Sequence, residues 1–320
     1  MRIVQVVPNI IPIPGSGGIE RVAFLLSNEL VKRGHEVYVY ALAGSSSNAV
    51  IIPYGHRGFF KHNIKDFVIH TLPDDVDVIH DHTHDLVIGR ENLNVPTVST
   101  IHTEWGLSIP LKFPVYVTKT KLMMSTNNSH GAYVHNGIDL NGYALEKNKD
   151  DYLLFLGRID REKGVRDAVR LAEQTGMRTI IAGPVWDQEL YGEIYPRMEK
   201  APNISYVGEV HGMEKQNLLM NAKWLLFPTA CEEQFGLVLV EALACGTSVA
   251  AYGRGAVPEV LQGLPQFICD NFDDMKRLIE GLSPFSPQEL REYVSLRYTK
   301  EKMTDEYLEL YWRAIRASRI

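Results

Sequence analysis

Cys231-Glu232-Glu233-Gln234-Phe235-Gly236-Leu237-Val238-Leu239-Val240-Glu241-Ala242-Leu243-Ala244-Cys245-Gly246-Thr247 is the stretch that decides how this chain is read. Ahead of it, Trp224-Leu225-Leu226-Phe227 is an apolar run ending at Pro228, which reads as a buried strand. After a short polar turn, Phe235 to Ala244 is apolar with one carboxylate in its middle. Gly246 stops that run as a residue just past a helix end, and Ser248 to Tyr252 resumes as a strand. The pattern is strand, loop, helix, strand. It places Glu233 just before the helix and Glu241 on its second turn. The N–H groups of Phe235, Gly236 and Leu237 fall where a helix start leaves amides unpaired and partly positive, a setting that suits a phosphate, and Gly236 lets the phosphate come close to the backbone. Glu241 is either satisfied by a neighbouring backbone group or arginine, or accepts hydrogen bonds from the hydroxyls of a ligand.

Working outward, 320 residues suggest about two domains. A hydrophobic content of 45% and a charged content of 22% are ordinary for a soluble globular protein. The net charge of −6 argues against general nucleic-acid binding. Cys231, Cys245 and Cys269 are too few for a disulfide framework, so a reducing, cytoplasmic location is expected. The first residues do not read as a signal peptide, and no apolar run approaches the ~20 residues of a membrane span. Peripheral contact with a membrane stays open.

In the first half, Ile3 to Val7 reads as a strand, Pro8 to Gly18 as a loop, Ile19 to Arg33 as a helix with Val22, Leu26 and Leu30 on one stripe, and Val37 to Tyr40 as the next strand. This strand–helix–strand unit implies a parallel sheet. Gly15-Ser16-Gly17-Gly18 lacks the third glycine of the dinucleotide fingerprint, which argues against a redox enzyme. The loop is either a flexible turn or a set of amides that meets an anion at a helix start. Gly44 to Asn48 reads as a polar loop. Val76 to Ile79 is a strand running into His80-Asp81-His82-Thr83-His84-Asp85. That cluster is too dense for a tetrahedral metal site without outside ligands and reads better as a polar rim at the carboxyl end of the sheet. Asp75-Val76-Asp77 sits at the start of its strand rather than the end and reads as a solvated turn. Pro96 to Ile101 is another strand, with His102 at its end.

In the second half, Tyr152 to Leu156 is a strand leading into Gly157-Arg158-Ile159-Asp160-Arg161-Glu162-Lys163-Gly164, followed by a helix with Val165, Ala168, Val169 and Ala172 on its apolar face. Arg158 and Lys163 are either solvated charges or a clamp on a diphosphate, where fixed cations would favour a departing nucleoside diphosphate as its charge grows. Strands are expected at 179–182, 204–207, 224–227, 248–252 and 267–269. Glu146 to Asp151 reads as an exposed linker, Ser286-Pro287 as a helix start, and Met303, Tyr307, Leu310, Tyr311 and Ala314 as the face of a final amphipathic helix.

Glu233 and Glu241 with Phe235-Gly236 between them, Gly157-Arg158 with Lys163-Gly164, Gly17-Gly18-Ile19-Glu20 and Thr100-Ile101-His102 together resemble the motifs of retaining glycosyltransferases of family 4, also called group 1. The resemblance runs from residue 1 to about 270. It implies an α/β GT-B fold, two Rossmann-like domains facing across a cleft: an acceptor domain over 1–145, joined by the last helix at 300–320, and a nucleotide-sugar domain over 146–299. It implies that Arg158, Lys163, Gly17, Gly18 and the amides of Phe235, Gly236 and Leu237 hold phosphate. Glu233 and His102 would orient the donor sugar, and Glu241 would bind the ribose. The nucleobase would lie against the edge at Gly183 and Val210. The reaction implied is transfer of a sugar, UDP-linked by preference, to a hydroxyl of a glycan, a lipid-linked molecule or a small molecule. It would proceed with retention and with neither metal nor cofactor. The sequence departs from the family at His135, where proline is common before Asn136-Gly137, and in a first half shorter than usual. A nucleotide-sugar 2-epimerase of the same architecture and a non-catalytic nucleotide-sugar-binding subunit are the competing readings.

Overall fold

The computed structural model describes residues 1–13, 15, 17–55, 62–126, 131–281 and 285–319. The chain forms two compact units, one of residues 1–138 and 298–320, the other of residues 139–297. The division thus falls between Ile138 and Asp139. The charged 146–151 segment belongs to the second unit, and Lys149 ties it down by donating to the carbonyls of Met220 and Cys245 and to Thr247 Oγ1.

The first unit holds strands β1 (Arg2–Val6), β2 (Glu36–Ala41), β3 (Val50–Pro53), β4 (Val78–Asp81), β5 (Thr97–Ile101), β6 (Phe113–Tyr116) and β7 (Ala132–Tyr133). They form one parallel sheet in the order β3-β2-β1-β4-β5-β6-β7. Helices α1 (Gly18–Lys32), α2 (His62–Thr71) and α3 (Lys119–Met124) connect them. The α1 stripe of Val22, Ala23, Leu26 and Leu30 is buried, as its helical spacing requires. Strands β1 and β4 are buried along almost their whole length, the mark of parallel strands covered on both faces.

The second unit holds β8 (Leu153–Leu156), β9 (Thr179–Ala182), β10 (Ile204–Tyr206), β11 (Trp224–Phe227), β12 (Ser248–Tyr252) and β13 (Ile268–Cys269). Their order is β10-β9-β8-β11-β12-β13, again all parallel. This is the doubly wound arrangement whose strand order reverses between its first and fourth strands, and ligands of such sheets bind at the carboxyl ends beside the reversal. Helices α4 (Val165–Thr175), α5 (Gln188–Lys200), α6 (Gly212–Asn221), α7 (Leu237–Ala244), α8 (Val257–Val260), α9 (Phe272–Gly281) and α10 (Pro287–Ser295) belong to it.

The last helix, α11 (Lys300–Ser318), is part of the first unit. Its buried Tyr311 hydroxyl lies 2.7 Å from His80 Nδ1 on β4, and its Tyr307 hydroxyl lies 2.8 Å from Thr100 Oγ1 on β5. The returning chain pairs with the departing one: Ile138 N donates to Tyr298 O and Lys300 N to Ile138 O, both at 2.9 Å. A Cβ on Gly137 would overlap the Thr299 carbonyl, so glycine is required here for close backbone approach rather than for a turn.

The strands at 50–53, 113–116 and 132–133 add to the sheet expected from sequence. The polar stretch at the end of β4 also differs from expectation. His80, Asp81 and His82 are wholly buried rather than forming a rim. Asp81 accepts from the amides of Thr83, Ile88 and Gly89, which folds the following loop back beneath the strand. Asp75 and Asp77 lie just ahead of β4 and bind Arg2, Asp75 through its guanidinium and Asp77 through its backbone amide. Among the described residues no helix is long and apolar enough to cross a membrane.

Candidate active site

The second unit gathers most of the expected residues where its strand order reverses. Strand β8 runs into Gly157 and Arg158, and β11 runs into Pro228, ahead of the loop that carries Glu233. Lys163 Nζ lies 2.6 Å from Glu233 Oε2, so the cation of one loop meets the carboxylate of the next. Burial opposes the lysine's charge, and the Glu233 carboxylate more than offsets it, leaving the Lys163 pKa raised. Lys163 is placed by its own amide donating to Asp160 Oδ1 at 2.8 Å and by Gly164, which has a left-handed φ of 75°. A Cβ on Gly164 would overlap the Pro228 carbonyl, so the two loops touch backbone to backbone. The contact is fastened by Ala230 N donating to Glu162 O at 2.7 Å.

Glu233 is held from the other side as well. Gly255, with φ 57°, presses against the Glu233 backbone, and Ala256 N donates to Glu233 O at 2.9 Å. Helix α7 begins directly afterwards. Gly236 is its N-cap, left-handed at φ 85°, and no side chain caps that end. The amides expected to meet phosphate therefore sit beside the Lys163–Glu233 pair, at the positive end of a helix packed into the core.

Arg158 is restrained on three sides. Its Nε is 2.9 Å from Asp160 Oδ2, its Nη2 is 3.2 Å from Glu162 Oε2, and its guanidinium carbon lies 4.5 Å from the centre of the Trp186 ring. Gly183 is where the ends of β8, β9 and β10 converge: its N donates to Gly208 O, and a Cβ would overlap the Gly157 carbonyl. Val210 is buried beyond β10.

Glu241 is wholly buried on α7 and takes both a cation and a phenol. Lys215 Nζ of α6 lies 2.6 Å from its Oε2, and Tyr143 donates to its Oε1 at 2.7 Å. Neither partner was legible beforehand. Lys215 sits in a polar helix whose sequence gives no sign of which face it turns to Glu241, and Tyr143 is distant in sequence. Trp186, Asp160 and Gly255 were missed for the same reason, since each matters through a contact that the linear pattern does not display.

In the first unit, His102 at the end of β5 is half-buried, and its Nε2 lies 3.1 Å from His82 Nδ1. Burial, reinforced by the nearby His84, pushes the His102 pKa down, and burial holds His80 and His82 well below the usual histidine range. All three are neutral imidazoles at neutral pH. Gly17 is the N-cap of α1 with an extended backbone, and a Cβ there would crowd Ile13 and Glu20; Gly18 opens the helix. Ser16 of the same motif lies outside the described residues. Among the described residues no group of three or more His, Cys, Asp or Glu is arranged to hold a metal ion. Cys231, Cys245 and Cys269 are free thiols.

A family model described as glycosyl transferases group 1 matches residues 143–300, and one described as glycosyltransferase family 4 matches residues 16–130. The chain belongs to the family 4, group 1 glycosyltransferases. It is similar to the phosphatidyl-myo-inositol mannosyltransferase of Mycobacterium tuberculosis (strain H37Rv), 27% identical over 311 residues that cover 82% of this chain and 80% of that protein. Among solved structures, AviGT4, a glycosyltransferase involved in avilamycin A biosynthesis, superposes with a TM-score of 0.80 at 24% identity over 98% of each chain. Anabaena Alr3699/HepE in complex with UDP and glucose superposes at 0.79 and 15% identity over 97% of this chain and 98% of that one. The two parallel-sheet units are those of the GT-B glycosyltransferases. The loops around Arg158, Lys163 and Glu233 all lie within the part of this glycosyltransferase that the group 1 model covers.

Proposed function

We propose that this glycosyltransferase moves a sugar from a nucleoside diphosphate sugar to an acceptor hydroxyl, with retention at the anomeric carbon and without a metal ion. The observation that carries the proposal is the Lys163–Glu233 pair, with Arg158 on the neighbouring strand end and the uncapped start of α7 beside it. Two cations and one carboxylate at the same strand ends fit a diphosphate and the sugar attached to it. Lys163, Arg158 and the 235–237 amides would take the charge that builds on the departing diphosphate, which is the work a divalent ion does elsewhere. Glu233 would turn toward the sugar hydroxyls once Lys163 has phosphate to bind. For His102 the proposal is a neutral imidazole that hydrogen-bonds a sugar hydroxyl, and for Gly17 and Gly18 a contact with phosphate.

In the proposed step, the bond from the anomeric carbon to the leaving phosphate oxygen breaks as the acceptor oxygen bonds to the same face of that carbon. The acceptor proton passes to the departing phosphate. UDP is favoured as the carrier because a structural relative holds UDP and glucose. The relative that acts on phosphatidyl-myo-inositol makes a lipid-linked hydroxyl the first acceptor to try and a mannosyl donor the first alternative sugar. The test is a thermal-shift screen of nucleotide sugars, followed by product analysis with and without acceptor, since a ligand of the folded state raises its melting point. Glycoside formed only with acceptor supports transfer. Conversion of the donor to a sugar isomer without acceptor would replace it by the epimerase reading.

A further inference from the structure

Trp186 follows β9 and is 64% exposed, an unusual place for the largest side chain. Its backbone is laced to the residue after Arg158: Trp186 N and Asp187 N both donate to Ile159 O, and Ile159 N donates to Pro184 O at 2.8 Å. The lacing puts the indole face against the Arg158 guanidinium, 4.5 Å from ring centre to guanidinium carbon. A guanidinium is planar and weakly hydrated, so an aromatic face fixes its plane while leaving its N–H edges available. Glu162 accepts a hydrogen bond from Nη2, Asp160 pairs with the guanidinium by charge at 2.9 Å from Nε without hydrogen-bond geometry, and Nη1 is not one of the nitrogens they take up. We propose that Trp186 is a positioning residue, the aromatic support that holds Arg158 with one N–H edge presented to the donor's diphosphate. This rests on the reading that Arg158 binds that diphosphate.

The chemistry sets what Trp186 should and should not affect. It acts through an arginine, so its influence follows the phosphate charge of the ligand and vanishes when Arg158 is gone. A tryptophan that stacked on the nucleobase would show the opposite pattern.

The experiment compares wild type, Trp186→Phe, Trp186→Ala, Arg158→Ala and the Trp186→Ala/Arg158→Ala double variant. Affinities for UDP, GDP and uridine are measured by calorimetry, and kcat and KM with the donor found active. Trp186→Ala is expected to weaken binding of the preferred nucleoside diphosphate and lower kcat, each about tenfold, and Trp186→Phe to stay within about threefold of wild type. Uridine affinity should be unchanged, and in the Arg158→Ala background the tryptophan exchange should add less than about twofold. Normal diphosphate binding and kcat in Trp186→Ala overturn the inference. So does an equal loss with uridine, or a loss that is undiminished without Arg158. If Arg158→Ala alone binds nucleoside diphosphate as wild type does, the diphosphate reading itself falls. A deficit in Arg158→Ala beside a normal Trp186→Ala removes only the role of Trp186.

Discussion

Lys215 and Glu241 meet at 2.6 Å with the carboxylate wholly enclosed by the protein. Removing one partner of such a pair leaves a charge stranded away from water, which costs far more than the pair contributes. Lys215→Met should therefore lower unfolding stability by about 3 kcal/mol, and the Glu241→Gln/Lys215→Met double variant should recover part of that loss. Urea titrations of wild type, Lys215→Met, Glu241→Gln and the double variant check it. Equal stability of wild type and Lys215→Met would mean that the carboxylate finds another cation or takes up a proton. If Glu241 also binds the nucleotide ribose, Glu241→Ala should lose affinity for uridine and UDP alike.

Arg158→Ala and Lys163→Ala are each expected to reduce kcat about 100-fold or more, the range found when a fixed charge-stabilising donor is removed. The affinity for the sugar's own hydroxyls should fall much less. Wild-type turnover in both variants would exclude the clamp. Glu233→Gln keeps the shape but loses the charge, so it should free Lys163 while impairing sugar placement, which would show as a lowered kcat with phosphate binding kept.

Chelation offers a direct check on how the leaving group is stabilised. With Lys163, Arg158 and the α7 amides in place, EDTA at millimolar concentration should leave turnover unchanged. Loss of activity that Mn²⁺ or Mg²⁺ restores would show that the protein cations do not suffice.

His80, His82 and His102 are held neutral by the fold, their pKa values below the ordinary value of 6.5 that they regain on unfolding. The unfolded chain thus binds more protons on acidification, so their contribution is fully present above pH 6.5 and is lost progressively as pH falls below it. Asp81, pushed up by burial, works in the opposite sense. Denaturation midpoints at pH 7.5, 6.5 and 5.5 and fixed ionic strength should fall at each step, steepest in the last. A flat profile would show that the imidazoles take up protons as readily in the folded chain as in the unfolded one.

Gly164 and Gly176 both have left-handed backbones, but only Gly164 is crowded. Gly176→Ala should cost about 1 kcal/mol, the strain of the conformation alone. Gly164→Ala adds the clash with Pro228 and should cost at least about 2 kcal/mol more, together with most of the activity, because Lys163 would be displaced from Glu233. Thermal unfolding and kcat of the two variants separate the effects. Similar stability in both would mean that the two loops can part at little cost.

Much of the second unit could be read in advance because its strands are unbroken apolar runs closed by glycine or proline, such as Trp224 to Phe227 and Thr179 to Ala182. The helix after Glu233 was legible for the same reason, down to the glycine at its end. Strand β6 was not, because Pro114 interrupts it and proline within a run argues against a strand; β7 is only two residues long. The site cations and carboxylates could be picked out by type and spacing. Their partners could not. Nothing in the spacing of Lys215 points to Glu241, and an exposed tryptophan between Pro184 and Asp187 looks like any loop residue until Arg158 is found on its face.

Because Tyr307 and Tyr311 reach into the first sheet from the far end of the chain, the amino-terminal unit is discontinuous in sequence. Cleaving after Arg297 would strip β4 and β5 of two buried phenols and leave His80 and Thr100 without the hydroxyls they pair with. A fragment that stops at residue 138 should therefore be aggregation-prone, and adding back a peptide spanning 298–319 should rescue it.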